Sequence, residues 1–496
     1  MKRGLNIMPV CAALLLGGCA VSPVPLGDSE INAFTEVNVA AVVADQEPVH
    51  GPITLYEAMA RALKYNLDFK VEMMNEALAA KSLDLKSAAM LPQLVANSGY
   101  DGRSNSAGGY SRSLTTGLKS GDASTSTQKE TFNAGAQLSW NILDFGLSYV
   151  RAKQAADEVL IAEERRRKVV NRIIEDVRTA YWRAVSAERL VGGLERLEKR
   201  VQSALKGSRS LVRDGALSPL TALAYERELV DIRKQIHELL RDLKTARIQL
   251  AALMNLPPGS AYSLAIADRQ GAELKLNQPM GDLIALALKN RPELREALLK
   301  HRISAKEADA ALLELLPGIN VFAGANWDSN NLLYNADWIS WGAKASWNAM
   351  RVFSYPARKN QINANEDLLR QQSLALTMAV MTQVHVSRVR YAQMREILTD
   401  ASDYYGVQKR MLGQVRVAAA ENAASEQSLI REEMNTLVAA AKYDIAYADL
   451  QNAFANVYAS VGIDPYGEGV TGAESVKALA KALRGTWVER GDRSGS

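Results

Sequence analysis

The chain is written twice, and that constrains its fold more than any other feature. The segment "ALKYNLDFK" at 62–70 corresponds to "ALKNRPELR" at 287–295, a displacement of 287 − 62 = 225 positions. "LPQL" at 91–94 meets "LPGI" at 316–319 with the same spacing, and Gly99 and Gly324 keep it. Further along, Trp140 in "LSWNILDFG" and Trp347 in "ASWNAMRVF" stand 347 − 140 = 207 apart. Ser218 and Ser425 repeat that spacing, as do "ALMNLPP" at 252–258 and "ASVGIDP" at 459–465. One length difference therefore separates two colinear halves. It lies in "DGRSNSAGGYSRSLTTGLKSGDASTSTQKE", whose Ser, Thr and Gly cannot build a core and read as a long surface loop. A fixed displacement held over so many positions is the mark of one plan used twice.

Each half predicts the same order of elements. A helix comes first, with Thr54 and Glu57 spaced as a capping box, and it is expected to run to Pro92, as its counterpart runs to Pro317. Two strands follow. A very long helix over about 150–213, roughly 95 Å at 1.5 Å per residue, then meets a break at "RDGALSP". A second long helix returns to about 255. The second-half helices are expected at about 357–418 and 424–461. Apolar or small residues recur along the first rod at Ile173, Val177, Ala180, Ala184, Ala187, Val191 and Leu194, a coiled-coil seam.

The strands alternate. Phe132, Ala134, Ala136, Leu138 and Trp140 take one side and Thr131, Asn133, Gly135, Gln137 and Ser139 the other. Ile319, Val321, Ala323, Ala325 and Trp327 repeat this, as do Ile339, Trp341, Ala343, Ala345 and Trp347. Period-two alternation over about ten residues with tryptophans at the ends fits a strand of an outer-membrane barrel. A soluble half-buried sheet also alternates. Export and the loop composition favour the membrane. Four strands cannot close a barrel, because single-chain barrels begin at about eight, and an open edge in lipid leaves backbone groups unpaired. Several copies are therefore expected to close one barrel, as a symmetric ring.

The start, "MKRGLNIMPVCAALLLGGCA", reads as a secretory signal too short to span a bilayer. "LGGC" at 16–19 resembles a bacterial lipobox, which implies cleavage before Cys19 and its lipidation. Ala20 after the cysteine fits outer-membrane sorting in that family of signals. Cys11 lies inside the removed segment, so no internal disulfide is expected. His50, His237, His301 and His385 are scattered without ligand spacing. No nucleophile elbow, phosphate loop or metal cluster is present, which predicts neither enzyme nor cofactor. A net charge of +4 on 496 residues gives no nucleic-acid bias, and "ERRRK" at 164–168 reads as a solvated helix face.

The ordered set resembles the TolC-like outer-membrane factor family over about 53–465. It comprises the duplicated helix–strand–strand–helix–hairpin order, "LPQL" and "LPGI", "SWNILDFG" and the tip "DGALS". The resemblance implies a mainly α protein whose duplicated long helical hairpins form a periplasmic tunnel. It implies four strands per protomer in a homotrimeric, twelve-stranded outer-membrane barrel, working with a periplasmic adaptor and an inner-membrane pump of RND or ABC type. The domain reading is a signal at 1–18, a lipid-anchored linker at 19–52, a first repeat at 53–258, a linker at 259–279, a second repeat at 280–465 and a tail at 466–496. Strands are expected at about 92–102, 131–142, 317–327 and 338–348, and tips at 213–219 and 418–428. The resemblance makes Asp214, Gly215, Ala216, Leu217 and Ser218 of the first tip adaptor-docking residues, with Glu421, Asn422, Ala423, Ala424 and Ser425 of the second. Asn422 stands where the first tip has Gly215. Candidate gate residues at and just past the second tip are Glu421, Glu426, Ser428 and Arg431. The expected function is the passive outer-membrane exit duct of a tripartite system, for multidrug efflux or type I protein secretion. An autonomous porin and a structural coiled-coil lipoprotein are the alternatives.

Overall fold

The computed structural model describes residues 23–44, 46–213, 218–257, 259–266, 269, 275, 278–467 and 474–492. The signal segment, Cys19 and the tip residues Asp214, Gly215, Ala216 and Leu217 lie outside them. Chain order is α1 (Asp28–Val42), α2 (Leu55–Tyr65), α3 (Leu67–Ala88), β1 (Gln93–Gly102), the two-residue strands β2 (Gly108–Gly109) and β3 (Ser124–Thr125), β4 (Glu130–Asn141), α4 (Ile142–Arg213) and α5 (Pro219–Leu253). Then come α6 (Met280–Asn290), α7 (Pro292–Leu313), β5 (Gly318–Asp328), β6 (Asp337–Ser346), α8 (Met350–Ala420), α9 (Glu426–Ser460) and α10 (Val476–Glu489).

The duplication is visible in hydrogen bonds at matching positions. Trp140 donates its indole N–H to the Met90 carbonyl at 3.2 Å, and Trp347 donates to Leu315 at 2.9 Å. The donors differ by 207 and the acceptors by 315 − 90 = 225, the two displacements of the sequence. Asn141 Oδ1 accepts from the Leu143 amide, and Asn348 Oδ1 from Met350. These caps explain why α4 and α8 start straight out of the strands, earlier than the expected 150 and 357. Ser218 and Ser425 cap α5 and α9. Asn255 (φ 56°) and Gly462 (φ 77°) turn the chain at the far ends of the same helices. Only glycine fits at 462, because a Cβ there would stand 2.6 Å from the Asn290 carbonyl carbon.

Two expectations about the opening helix are corrected. It is not one helix but two. Asn66 leaves the helical region (ψ 128°) and caps α3 with its side chain, and Arg291, 225 residues on, takes the same backbone conformation (ψ 127°) before Pro292 without a side-chain cap bond. Proline pushes the residue before it out of the α region; in the first half the asparagine side chain has that role by accepting from the Phe69 amide. The capping box is half formed. Thr54 accepts from the Glu57 amide, but Glu57 turns its carboxylate to Arg61.

An apolar belt joins α2, α4, α6, α9 and α10 around Trp182, Tyr447, Phe454 and Trp487. The 466–496 segment, read as a tail, contributes α10 to this belt. Arg178 and Asp492, both 0% exposed, pair at 2.9 Å, and the guanidinium lies 4.4 Å from the Trp487 ring. A second cluster fills the space between α4, α5 and α9 toward the tips. α1 buries no side chain.

On the sheet side of the belt, α4 is tied to α7 by ions. Asp157, 2% exposed, takes Arg302 and Lys306, Glu307 takes Arg151 and Arg358, and Glu296 takes Arg165 and Lys300. Burial pushes these carboxyls up, but the cations outweigh it and leave all three below their ordinary values of 3.8 and 4.5. A depressed carboxyl stabilises the fold above its unfolded pKa, and the contribution is lost as pH falls through the folded value. Thermal stability should therefore fall below about pH 4. Asp157→Asn should cost about 1–2 kcal/mol at pH 7, below the ~3–5 of a fully buried pair because Arg302 is half exposed. Its melting temperature should fall less than that of the parent between pH 7 and pH 3. Equal acid sensitivity in parent and variant would contradict this role.

Candidate functional site: a two-faced sheet on a helical wall

The four long strands form one antiparallel sheet in the order β1-β4-β5-β6. Directly paired residues share a face. The register sets Leu94 opposite Leu138, Leu138 opposite Ala323 and Ala323 opposite Trp341; Ala96, Ala136, Ala325 and Ile339 form the next such row. The apolar sides of all four strands thus coincide in one face, with Trp341 81% and Ile339 77% exposed. The other face carries Asn97, Asn133, Gln137, Asn326, Ser340 and Lys344. Phe322 and Trp338 are its aromatic exceptions. Phe322 lies over Gly342, where a Cβ would come within 2.9 Å of its ring. Asn133 donates to Asp101 at 3.1 Å and Asn326 to Ser340 at 2.9 Å.

Among the described residues no strand pairs with the outer side of β1 or β6. The directions alternate, so β6 of one copy could meet β1 of another antiparallel. At the end away from the helices the two hairpin loops are joined: buried Asn330 accepts from the Gln128 amide and donates to the Ser126 carbonyl. The long Ser/Thr-rich loop also holds the small β2–β3 ribbon.

The helices repeat the order of the strands. Between sheet and belt, α4 packs on α3 and α7, and α7 packs on α8. Past the belt, α4 packs on α5 and α9, and α9 packs on α8. Among the described residues one chain is therefore a wall of helices, with α5 and α8 as its margins on the tip side. No described helix is long and apolar enough to cross a membrane, and no described group of three His, Cys, Asp or Glu could hold a metal.

The second tip turns through Asn422 (φ 58°), a left-handed conformation that asparagine tolerates. The Ala423 and Ala424 amides close on the Ala418 carbonyl, and Glu421 and Ala423 are exposed. Ser425 Oγ accepts from the Ser428 amide, and the two hydroxyls lie 2.9 Å apart, so Ser428 is part of the cap. Glu426 opens α9, exposed, near Tyr225, whose hydroxyl is pushed up by burial and then by Glu426 and Glu228. Arg431 reaches across to Glu228 of α5 at 3.5 Å, and Gln427 bonds the same carboxylate. Glu433 joins Arg200 of α4 to Arg416 of α8. Glu228 and Gln427 were not singled out from sequence. Their partners are mostly distant in the chain, and no local spacing marks them.

Residues 58–256 match the family model described as outer membrane efflux protein. No curated protein matches the chain. Among solved structures, the Campylobacter jejuni CmeC outer membrane channel is similar at TM-score 0.64 and 15% identity, covering 96% of this chain and 98% of that one. The open state of the Neisseria gonorrhoeae MtrE outer membrane channel gives 0.63 and 16%, covering 85% and 95%. The Vibrio cholerae outer membrane protein VceC gives 0.59 and 11%, covering 82% and 96%. The resemblance to TolC-like outer-membrane factors therefore holds in sequence over the first repeat and in fold over nearly the whole chain.

Proposed function

We propose that this chain, with the outer membrane efflux protein signature in its first repeat and the fold of outer-membrane channels, is one third of a passive exit duct. Three copies close a twelve-stranded barrel in the outer membrane and a helical tunnel in the periplasm. The observation that supports this best is the sheet: one continuous apolar face, one polar face and two unpaired edges. An edge in lipid leaves donors and acceptors unsatisfied, at several kcal/mol each. The same sheet stands on a wall with two free margins, so adding copies closes both. A lone porin needs no such wall, and a coiled-coil lipoprotein needs no such sheet. Energy for transport comes from an inner-membrane pump through a periplasmic adaptor docked at the tips, in drug efflux or protein secretion. In planar bilayers the purified protein should give discrete conductance steps, and it should capture its adaptor from solution. A protein that inserts, conducts nothing and binds no adaptor would overturn the reading.

The lipid is part of the proposal. Cys19→Ser should abolish fatty-acid labelling while leaving barrel closure intact, since strand pairing and not the acyl chain joins the copies. Persistent labelling would exclude Cys19 as the site.

The gate is proposed at the tip-side ties between the two hairpins. Arg431 and Gln427 on α9 hold Glu228 on α5, and the exposed carboxylates of Glu421 and Glu426 stand nearby. Glu228→Ala releases Gln427 and leaves Arg431 only Glu432 of its own helix, at 3.7 Å, so the tie between the hairpins is lost. Single channels of this variant should open to a larger conductance or stay open longer, by a factor of about 2 or more, since a lost charge-assisted bond is worth about 1 kcal/mol. Unchanged open times would remove Glu228 from the gate.

A further inference from the structure

At the level of the belt the two faces of the wall differ. On α4, Val177, Tyr181 and Ala184 point into the belt, and on α9 Tyr447, Phe454 and Tyr458 do the same. At about 100° per residue, Thr179, Arg183 and Ser186 of α4 and Ala441, Ile445 and Asn452 of α9 lie on the far side. With α5 they line two adjoining cavities of about 460 and 550 Å³, which share Arg183 and Gln249. The belt adds a second layer to one face only, and a tunnel through the ring stays open when that layer is outside. The groove between α4, α5 and α9 therefore opens into the tunnel.

The first cavity holds an unbalanced charge and an unbonded hydroxyl. Arg183 is exposed and forms no hydrogen bond or ion pair with a described residue. At the rim, Arg241 and Asp242 neutralise each other at 2.8 Å. One turn from Arg183, Ser186 is 2% exposed and its hydroxyl has no partner. A hydroxyl in a helix can return to the carbonyl four residues back, as Thr245 does to Arg241, but Ser186 does not. Leaving it unbonded is costly, and an acceptor oxygen on a ligand would relieve that cost. Beside this pair, Leu239, Leu243, Ala246, Ala441 and Ile445 form an apolar trough. The contacts of Arg247 with Glu188 and of Lys244 with Glu195 put the α5 part of the trough tipward of Arg183. The acidic residues Glu175 and Asp176 line the second cavity, about two turns from Arg183 on the belt side.

We infer that this groove binds amphiphilic organic anions inside the duct, one per protomer: Arg183 and Ser186 take the acidic head and the trough takes the hydrocarbon. The placement in the tunnel rests on the ring of copies proposed above; the pocket itself lies within one chain. Its volume is that of ordinary small-molecule sites. An exposed guanidinium in contact with tunnel water holds its partner weakly, which suits a conduit that must release what it carries.

The test is equilibrium dialysis of the full-length protein in nanodiscs against octanoate, octylammonium and octyl glucoside, with binding to empty nanodiscs subtracted. Octanoate should bind in excess of the other two. Arg183→Ala should weaken it about tenfold, the worth of one hydrogen bond to a charged group, and Ser186→Ala about threefold. Arg183→Glu should reverse the preference toward octylammonium. Arg183 is exposed, so its variants should keep the parent melting temperature. Octanoate bound no better than octyl glucoside, or equally well by Arg183→Ala, overturns the site. A parent preference for octylammonium that Glu175→Gln abolishes also overturns it, in favour of the acidic cavity. Sizing the same samples separates this inference from the ring: an oligomer that fails to bind removes the site and leaves the ring, and a monomer that binds leaves the site and removes the ring.

Discussion

Replacing Ala323 with arginine abolishes recovery of assembled protein, while Gln137→Arg on the opposite face leaves it within a factor of about two. Ala323 is central in the sheet, flanked by Leu138 on β4 and Trp341 on β6, so its side chain belongs to the continuous apolar face. An arginine at the midplane of the lipid face costs about 2–4 kcal/mol in a barrel, and three copies multiply that to about 6–12 kcal/mol per assembly. Gln137 pairs with Val95 and Gly324 on the polar face, where a charge stays in water. There the expected change is in permeation: three added positive charges in the lumen should shift selectivity toward anions. Heat-modified mobility on gels and reversal potentials read the two arms. Equal tolerance of both arginines would mean that neither face contacts lipid.

Export falls to background when Ala216 and Ala423 are both replaced by tryptophan, with the trimer intact. Ala423 lies exposed in a turn closed by backbone bonds to the Ala418 carbonyl. A large side chain there disturbs no buried contact, so stability should change by less than about 0.5 kcal/mol. Ala216 is the first-tip partner of Ala423 under the 207-residue displacement. If the tips dock an adaptor, two bulky rings per protomer prevent a close seal, and adaptor capture fails along with export. Normal export with normal capture would leave the tips as turns only.

The sequence carried the parts of this fold that repeat or alternate. The two displacements, 225 and 207, are the spacings at which the tryptophan bonds, serine caps and helix breaks recur in space. Alternation in single strands sufficed to anticipate the faces, because antiparallel pairing keeps neighbours on one side. What was not legible had a local cause or a distant one. The break at Asn66 is hidden in "KYNLDF", where apolar periodicity runs on and a single capping side chain outweighs it. The early start of α4 hangs on Asn141. The burial of α10 was not legible because it depends on α2 and on Arg178, Phe454 and Tyr458, which surround Trp487 and, apart from Tyr458, lie far away in the chain. The ladder from Asp157 to Glu307 and the tie at Glu228 are equally long-range, and a charge on a helix reads the same whether solvated or paired.

The claim on which the rest depends is that one chain is incomplete and three complete it. Native mass spectrometry of the detergent-purified, full-length protein tests it most directly. The expected result is a single species of three copies that persists at low concentration, since both sheet edges and both wall margins are closed in it. A stable, helix-rich monomer, with β1 and β6 unpaired, would contradict it.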